Sequence, residues 1–182
     1  SGHIASVGYE MYSKLLEREI RKLKGQKVDE EIDPELSLKV EAYLPENFIS
    51  DPNTRLDIYK RLSSAGSVDD VADICSELSD RFGALPIETI NLMGVMEIKV
   101  LAKKLKMKQI TFDGKFLSCH IDATTPLKPD EILNFVTREP EVFRLIPPDR
   151  ILIAIPKNST DHNVLKSAKN SLMRLSGYAG KR

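Results

Sequence analysis

Hydrophobic and polar positions follow a helical period through most of the first half of this chain and a period of two through much of the second. Tyr9, Tyr12, Leu15, Leu16, Ile20 and Leu23 recur at helical spacing with Arg and Lys between them. They predict an amphipathic N-terminal helix over residues 1–25, with Gly25 able to stop it. Residues 26–36 are rich in acids and contain Pro34, which predicts an exposed linker. Leu38, Val40, Ala42 and Leu44 then alternate with polar neighbours, the pattern of a half-buried strand, and Pro45 ends it.

Residues 51–86 carry the strongest local signals. Asp51-Pro52 opens a helix, with Asp as cap and Pro at the first helical position. Leu56, Tyr59 and Leu62 give it an apolar stripe, and Gly66 closes it. Ser67 and Asp70 form a capping-box pattern for the next helix, with Asp in place of the usual Glu. Its apolar side is Val71, Ile74, Cys75, Leu78 and Phe82, and Gly83 is its stop. Pro86 starts a longer helix over residues 86–106, apolar almost all round between Ile90 and Leu101, as in a buried central helix.

Beyond it the period changes. Residues 109–112 and 115–121 are strand-like and joined by Asp113-Gly114, a hairpin signal. Pro129 opens a short helix to about Thr137. Residues 143–146 and 150–155 read as strands around Pro147-Pro148-Asp149. The continuous apolar run Ile151-Leu152-Ile153-Ala154-Ile155 points to an interior strand. A last helix carries Val164, Leu165, Ala168 and Leu172, and residues 179–182 form a frayed basic tail. The fold class is therefore α+β: a helical N-terminal half packed with a small mixed sheet drawn mainly from the C-terminal half.

Composition narrows the function classes. The 182 residues hold 27 basic and 27 acidic side chains, a formal net charge of zero, where a free-standing nucleic-acid binder shows a basic excess. No apolar run reaches the roughly 20 residues that cross a bilayer, and no stretch reads as a signal peptide. The two cysteines, Cys75 and Cys119, lie far apart in apolar patterns, which predicts free thiols and a reducing cytoplasm. The chain lacks a P-loop, a G-x-G-x-x-G after a strand, H-E-x-x-H and G-x-S-x-G. His3, His120 and His162 fall in three different elements. The expectation is a non-catalytic domain with no cofactor and no metal of its own.

The helix after Ser67 has a second feature. Asp69, Asp73, Glu77 and Asp80 fall within a sector of roughly 100°, opposite the apolar side. A single-sign band is most often a solvated face. Asp69 and Asp70 need no other reason, because carboxylates in a first turn complement the helix dipole. Glu77 and Asp80 occupy the last turn, where acid is unfavourable, and Arg81 beside them can fix the carboxylates as an array for an arginine-rich surface. Lysines cluster between Lys99 and Lys108, without the interleaved aromatics of a single-strand binder.

Asn53-Thr54-Arg55-Leu56 with Tyr59-Lys60-Arg61, then Glu77-Leu78-Ser79-Asp80-Arg81-Phe82-Gly83 and Leu85-Pro86, closely resemble the C-terminal domain of bacterial transcription-repair coupling factors. Ser1-Gly2-His3-Ile4 and Val7-Gly8-Tyr9-Glu10-Met11-Tyr12 resemble the segment that leaves that family's translocase motor. Ala42-Tyr43-Leu44-Pro45 and Phe48-Ile49 before Asp51 also match. Ser79 departs from the pattern, standing where an apolar residue is also seen, but leaves the acid spacing intact.

The resemblance implies a fragment of an ATP-dependent DNA translocase that displaces stalled RNA polymerase and recruits the excision-repair protein UvrA. It places the ATP and magnesium sites of the parent upstream of this chain. Residues 1–25 are then the linking helix after the motor, 26–36 the linker and 37–178 the regulatory domain. The resemblance further implies that this domain clamps the parent's N-terminal UvrA-binding module, with Glu77, Asp80 and Arg81 facing basic residues of that module. Asp73, one turn earlier in the same stripe, joins them as a candidate interface residue. UvrA, RNA polymerase and double-stranded DNA are indirect partners through the parent, and no membrane is involved. The rival is a direct nucleic-acid or polymerase contact through the lysines near Lys103 and the basic tail.

Overall fold

The computed structural model describes residues 16, 19–25 and 31–177, in two units, residues 1–31 and 32–182. In the first unit residues 19–23 are helical, with Ile20 and Leu23 exposed, and Gly25 stops the helix at φ +67°. The apolar positions Tyr9, Tyr12 and Leu15 lie outside the described residues, as does the tail.

The second unit is α+β, as expected. Its elements are β1 (Glu35–Ser37), α1 (Pro52–Ser63), α2 (Val68–Phe82), α3 (Ile87–Lys104), β2 (Met107–Phe112), β3 (Phe116–Ile121), α4 (Pro129–Arg138), β4 (Phe143–Ile146), β5 (Arg150–Ala154) and α5 (Asp161–Ser176). The sheet runs β1-β2-β3-β5-β4, with β1 parallel to β2 and every other pair antiparallel. The apolar strand β5 is interior in that order, although its burial alternates rather than being complete on both faces. Asp113 closes the β2–β3 hairpin by accepting from the N–H groups of Lys115 (2.8 Å) and Phe116 (2.7 Å), with Gly114 at φ +99°. Those two bonds hold the Asp113 carboxyl below the usual range.

Two apolar clusters share α3. One joins Ile98 and Leu101 of α3 to Phe135 of α4, Leu172 of α5 and Ile110, Leu117 and Ile153 of the sheet. The other joins Leu92, Met93 and Val100 of α3 to Ile58 and Leu62 of α1 and Val71, Ile74 and Leu78 of α2. A helix apolar all round is what two opposed cores require, and this accounts for the pattern between Ile90 and Leu101.

Two expectations are corrected. The strand over residues 38–44 is not a ladder strand: sheet pairing occupies Glu35–Ser37, at the end of the segment 26–36 read as linker and one residue beyond it, and then stops. Lys39 adopts a left-handed φ of +55°, which turns the chain off β2. The segment continues extended across α3: Tyr43 N–H donates to the Glu88 carbonyl (3.2 Å), and Asn91 Nδ2 donates to the Glu41 carbonyl (3.0 Å). Leu44 N–H donates to the Tyr59 hydroxyl (2.7 Å). The period-two burial is real, because Leu38 and Leu44 are buried, but helices answer the backbone. The stripe of α1 is also shifted. Ile58 and Leu62 are buried while Leu56 is 47% exposed, since the face of α1 that joins Leu44 and Ile49 in the core is set by Ile58 and Leu62, followed by Ala65 just past the helix end.

Candidate functional site

The α1–α2 hairpin that carries the acidic stripe is fixed at both ends by its own side chains. Asp51 accepts from Thr54 N–H (2.9 Å) and Thr54 Oγ1 (2.6 Å), and these bonds lower its carboxyl pKa. Arg55 Nη1 donates to the carbonyls of Ile49 (2.6 Å) and Ser50 (3.1 Å), tying the incoming loop to α1. Between the helices the capping box is complete. Asp70 N–H donates to Ser67 Oγ (3.1 Å), and the Asp70 carboxylate accepts from Ser67 N–H (3.1 Å) and Gly66 N–H (2.9 Å). Asp70 is thus spent on the turn. Gly83 leaves α2 at φ +90°, a left-handed position that favours glycine.

The four acids of the stripe divide into two kinds. Glu77 is clasped from both sides, with Arg61 Nη2 of α1 2.5 Å from Oε2 and Arg81 Nη1 3.2 Å from Oε1. The bond from Arg61 is the main cause of a lowered Glu77 pKa, with desolvation opposing and Arg81 adding to the lowering. The same bond raises Arg61. Arg81 in turn lies 4.9 Å over the Phe82 ring, and Phe82 meets Phe48 edge-on at 5.8 Å. Asp69, Asp73 and Asp80 are exposed and form no ion pair with any described residue.

The arrangement changes the expected roles. Glu77 has its counter-charges within the chain, in Arg61 and Arg81, and because α2 runs to Phe82 only Asp80 of the two acids stands in the last turn that sequence reasoning gave to both. Arg81 fixes Glu77 and not Asp80. Sequence reasoning placed Arg61 in a motif but gave it no role. Its signal was a basic residue in the last turn of α1, and the pairing requires α1 and α2 to pack with Arg61 opposite Glu77. The site presents Asp73 and Asp80 as open carboxylates beside an Arg61–Glu77–Arg81 bridge whose arginines keep 40% and 46% side-chain exposure. It can offer acceptors to a basic surface and guanidinium edges to acceptors at its rim.

The other candidates do not converge. His120 lies half-buried on β3 opposite Gln109 and Arg150, His162 is exposed on α5, and His3 is outside the described residues. Among the described residues no three His, Cys, Asp or Glu side chains group as metal ligands. Cys75 and Cys119 are free thiols, and burial pushes Cys119 up to about 12. Lys99 is 3.3 Å from Asp33, while Lys104 and Lys108 are exposed. Among the described residues no helix is long and apolar enough to cross a membrane.

Comparison with known proteins decides the family. The TRCF domain family model matches residues 38–132, more than half of the chain and all of the α1–α2 hairpin. The chain belongs to the TRCF domain family. Relatives of this TRCF domain include the transcription-repair-coupling factor of Myxococcus xanthus, 31% identical over 179 residues, which cover 98% of this chain and 15% of that protein. The factor of Haemophilus influenzae is 33% identical over 149 residues, covering 79% of this chain and 13% of that protein. The TRCF domain therefore spans about one seventh of the length of the curated relatives it matches. A crystal structure of the C-terminal domain of a transcription-repair coupling factor has the same fold, with a TM-score of 0.69 at 20% identity, covering 83% of this chain and 97% of that one.

Proposed function

We propose that this TRCF domain is a non-catalytic regulatory latch within a cytoplasmic transcription-repair coupling factor. The α2 face of Asp73, Glu77, Asp80 and Arg81 would hold the UvrA-binding N-terminal module closed until the parent engages a stalled RNA polymerase on double-stranded DNA. The observation that carries this reading is the pair of open carboxylates, Asp73 and Asp80, beside a bridge whose geometry is fixed without the partner. A preorganised charged face loses little freedom on docking. Exposed pairs contribute about 0–1 kcal/mol each, so a latch built of them opens readily and gives orientation more than affinity. ATP and magnesium would act in the parent's motor and have no role here.

Charge reversal tests it. In the full-length protein, Asp80→Lys with Asp73→Lys should increase UvrA binding and unlock translocation. Unchanged UvrA binding would remove α2 from the latch. The rival nucleic-acid reading predicts a salt-dependent gel shift with this chain alone, lost on substituting Lys103 and Lys104.

A further inference from the structure

A concave feature lies away from the acidic stripe, on the side of α3 that faces α5. Ile90, Met93, Gly94 and Glu97 of α3 form the floor of a groove of ≈330 Å³, open on one side, with Cys75 of α2 and Leu165 of α5 as walls. Gly94 lets the two helices approach, since a Cβ there would stand 3.3 Å from Leu165 Cβ and Cδ1. The apolar strip does not stop at the groove. Ile87, one turn before Ile90, is 54% exposed and Ile90 itself is 37% exposed. From Ile87 to Glu97 the strip runs about 15 Å along α3, which is long for a compact small molecule and fits a short helix.

The unpaired formal charge on the rim is basic. Lys169 is spent on Glu97 at 3.1 Å, which closes one end of the groove as a neutral pair. His162 and Lys166 line the same edge, are exposed, and make no ion pair with a described residue. They sit in the first turns of α5, where the helix dipole adds to the positive potential of Lys166. We propose that this groove seats an amphipathic helix of a partner protein, apolar on its buried face and acidic along the flank that meets His162 and Lys166. The partner's apolar side chains would enter at i, i+3 or i+4, and i+7 against Ile87, Ile90 and Met93. Cys75 faces away from the Asp73–Asp80 sector of α2, so the seat does not depend on the latch proposed above.

Cys75 also supplies the test. It lines the groove, whereas Cys119 is fully buried, so alkylation of the native 182-residue chain by iodoacetamide reports on the groove. The probe is a synthetic amphipathic helical peptide of about four turns, leucine-faced and glutamate-flanked, beside a control with the same leucines flanked by lysine. The acidic peptide should slow Cys75 alkylation several-fold and the lysine peptide should not. Ile90→Glu should abolish the protection, and Lys166→Glu should transfer it to the lysine peptide. Both residues are exposed, so both variants keep the fold, which circular dichroism verifies. No protection, equal protection by both peptides, or protection that survives Ile90→Glu would overturn the proposal. So would sedimentation showing a dimer of the chain that Ile90→Glu dissolves, because the occupant would then be a second copy.

Discussion

The two halves around α3 are stabilised differently. The sheet half is closed by continuous apolar packing: Phe143 and Ile153 are fully buried, and Phe143 meets Phe135 edge-on at 4.3 Å. The helical half buries a smaller cluster and relies on single polar bonds to hold its incoming chain, among them Tyr59 to Leu44 and Asn91 to Glu41. It also carries the charged face. A latch of the kind proposed would place its reversible contacts on the half held by a few specific bonds, while the half sealed by burial keeps the fold.

Core truncations give the largest expected effects and test whether the halves are one cooperative unit. Phe143→Ala should cost about 3–5 kcal/mol and Leu78→Ala about 2–5 kcal/mol in urea unfolding. Because Ile98 and Leu101 of α3 face one core and Leu92 and Met93 the other, each variant should unfold in a single transition by fluorescence and circular dichroism alike. Two separate transitions would break the comparison into two domains.

Next comes Tyr59→Phe. It leaves the Leu44 N–H without its acceptor in a buried setting and should cost about 1–3 kcal/mol. The accompanying sign is faster amide exchange at Leu44 with the sheet half unchanged. If exchange accelerates everywhere equally, the polar bonds are not local fastenings of the helical half.

The smallest effect on stability is expected from Arg61→Ala, and its signature is pH dependence. Glu77 has a folded-state pKa below its ordinary 4.5, so the stability it supplies is complete above that value and is lost as pH falls through the depressed one. Removing Arg61 should move the Glu77 midpoint up toward 4.5 in a carboxyl NMR titration, and the stability gap to the wild type should close in acid. An unmoved midpoint would mean that the clasp does not exist in solution.

Much of this architecture is legible in the sequence where the physics is local. The capping box at Ser67 and Asp70, the Gly83 stop and the Asp113-Gly114 hairpin each depend on residues a few positions apart, and each lies where expected. The central position of α3 was readable too, because only a helix between two cores needs apolar residues all round. Residues 38–44 show the limit. Alternation reports which side chains are buried and says nothing of what bonds the backbone, so a segment fastened to helices looks like a strand. The Glu77 clasp was hidden for a related reason. Arg81 is its neighbour in sequence, but Arg61 reaches it only after α1 and α2 have packed.

The central claim is that the open acids of α2 dock a basic surface. The most direct measurement is calorimetric titration of this chain with the module proposed above as its partner, using wild type and Asp80→Lys. The account predicts affinity about three- to tenfold weaker for Asp80→Lys, with the loss shrinking at high salt. Equal affinity for the two proteins at low salt would contradict it.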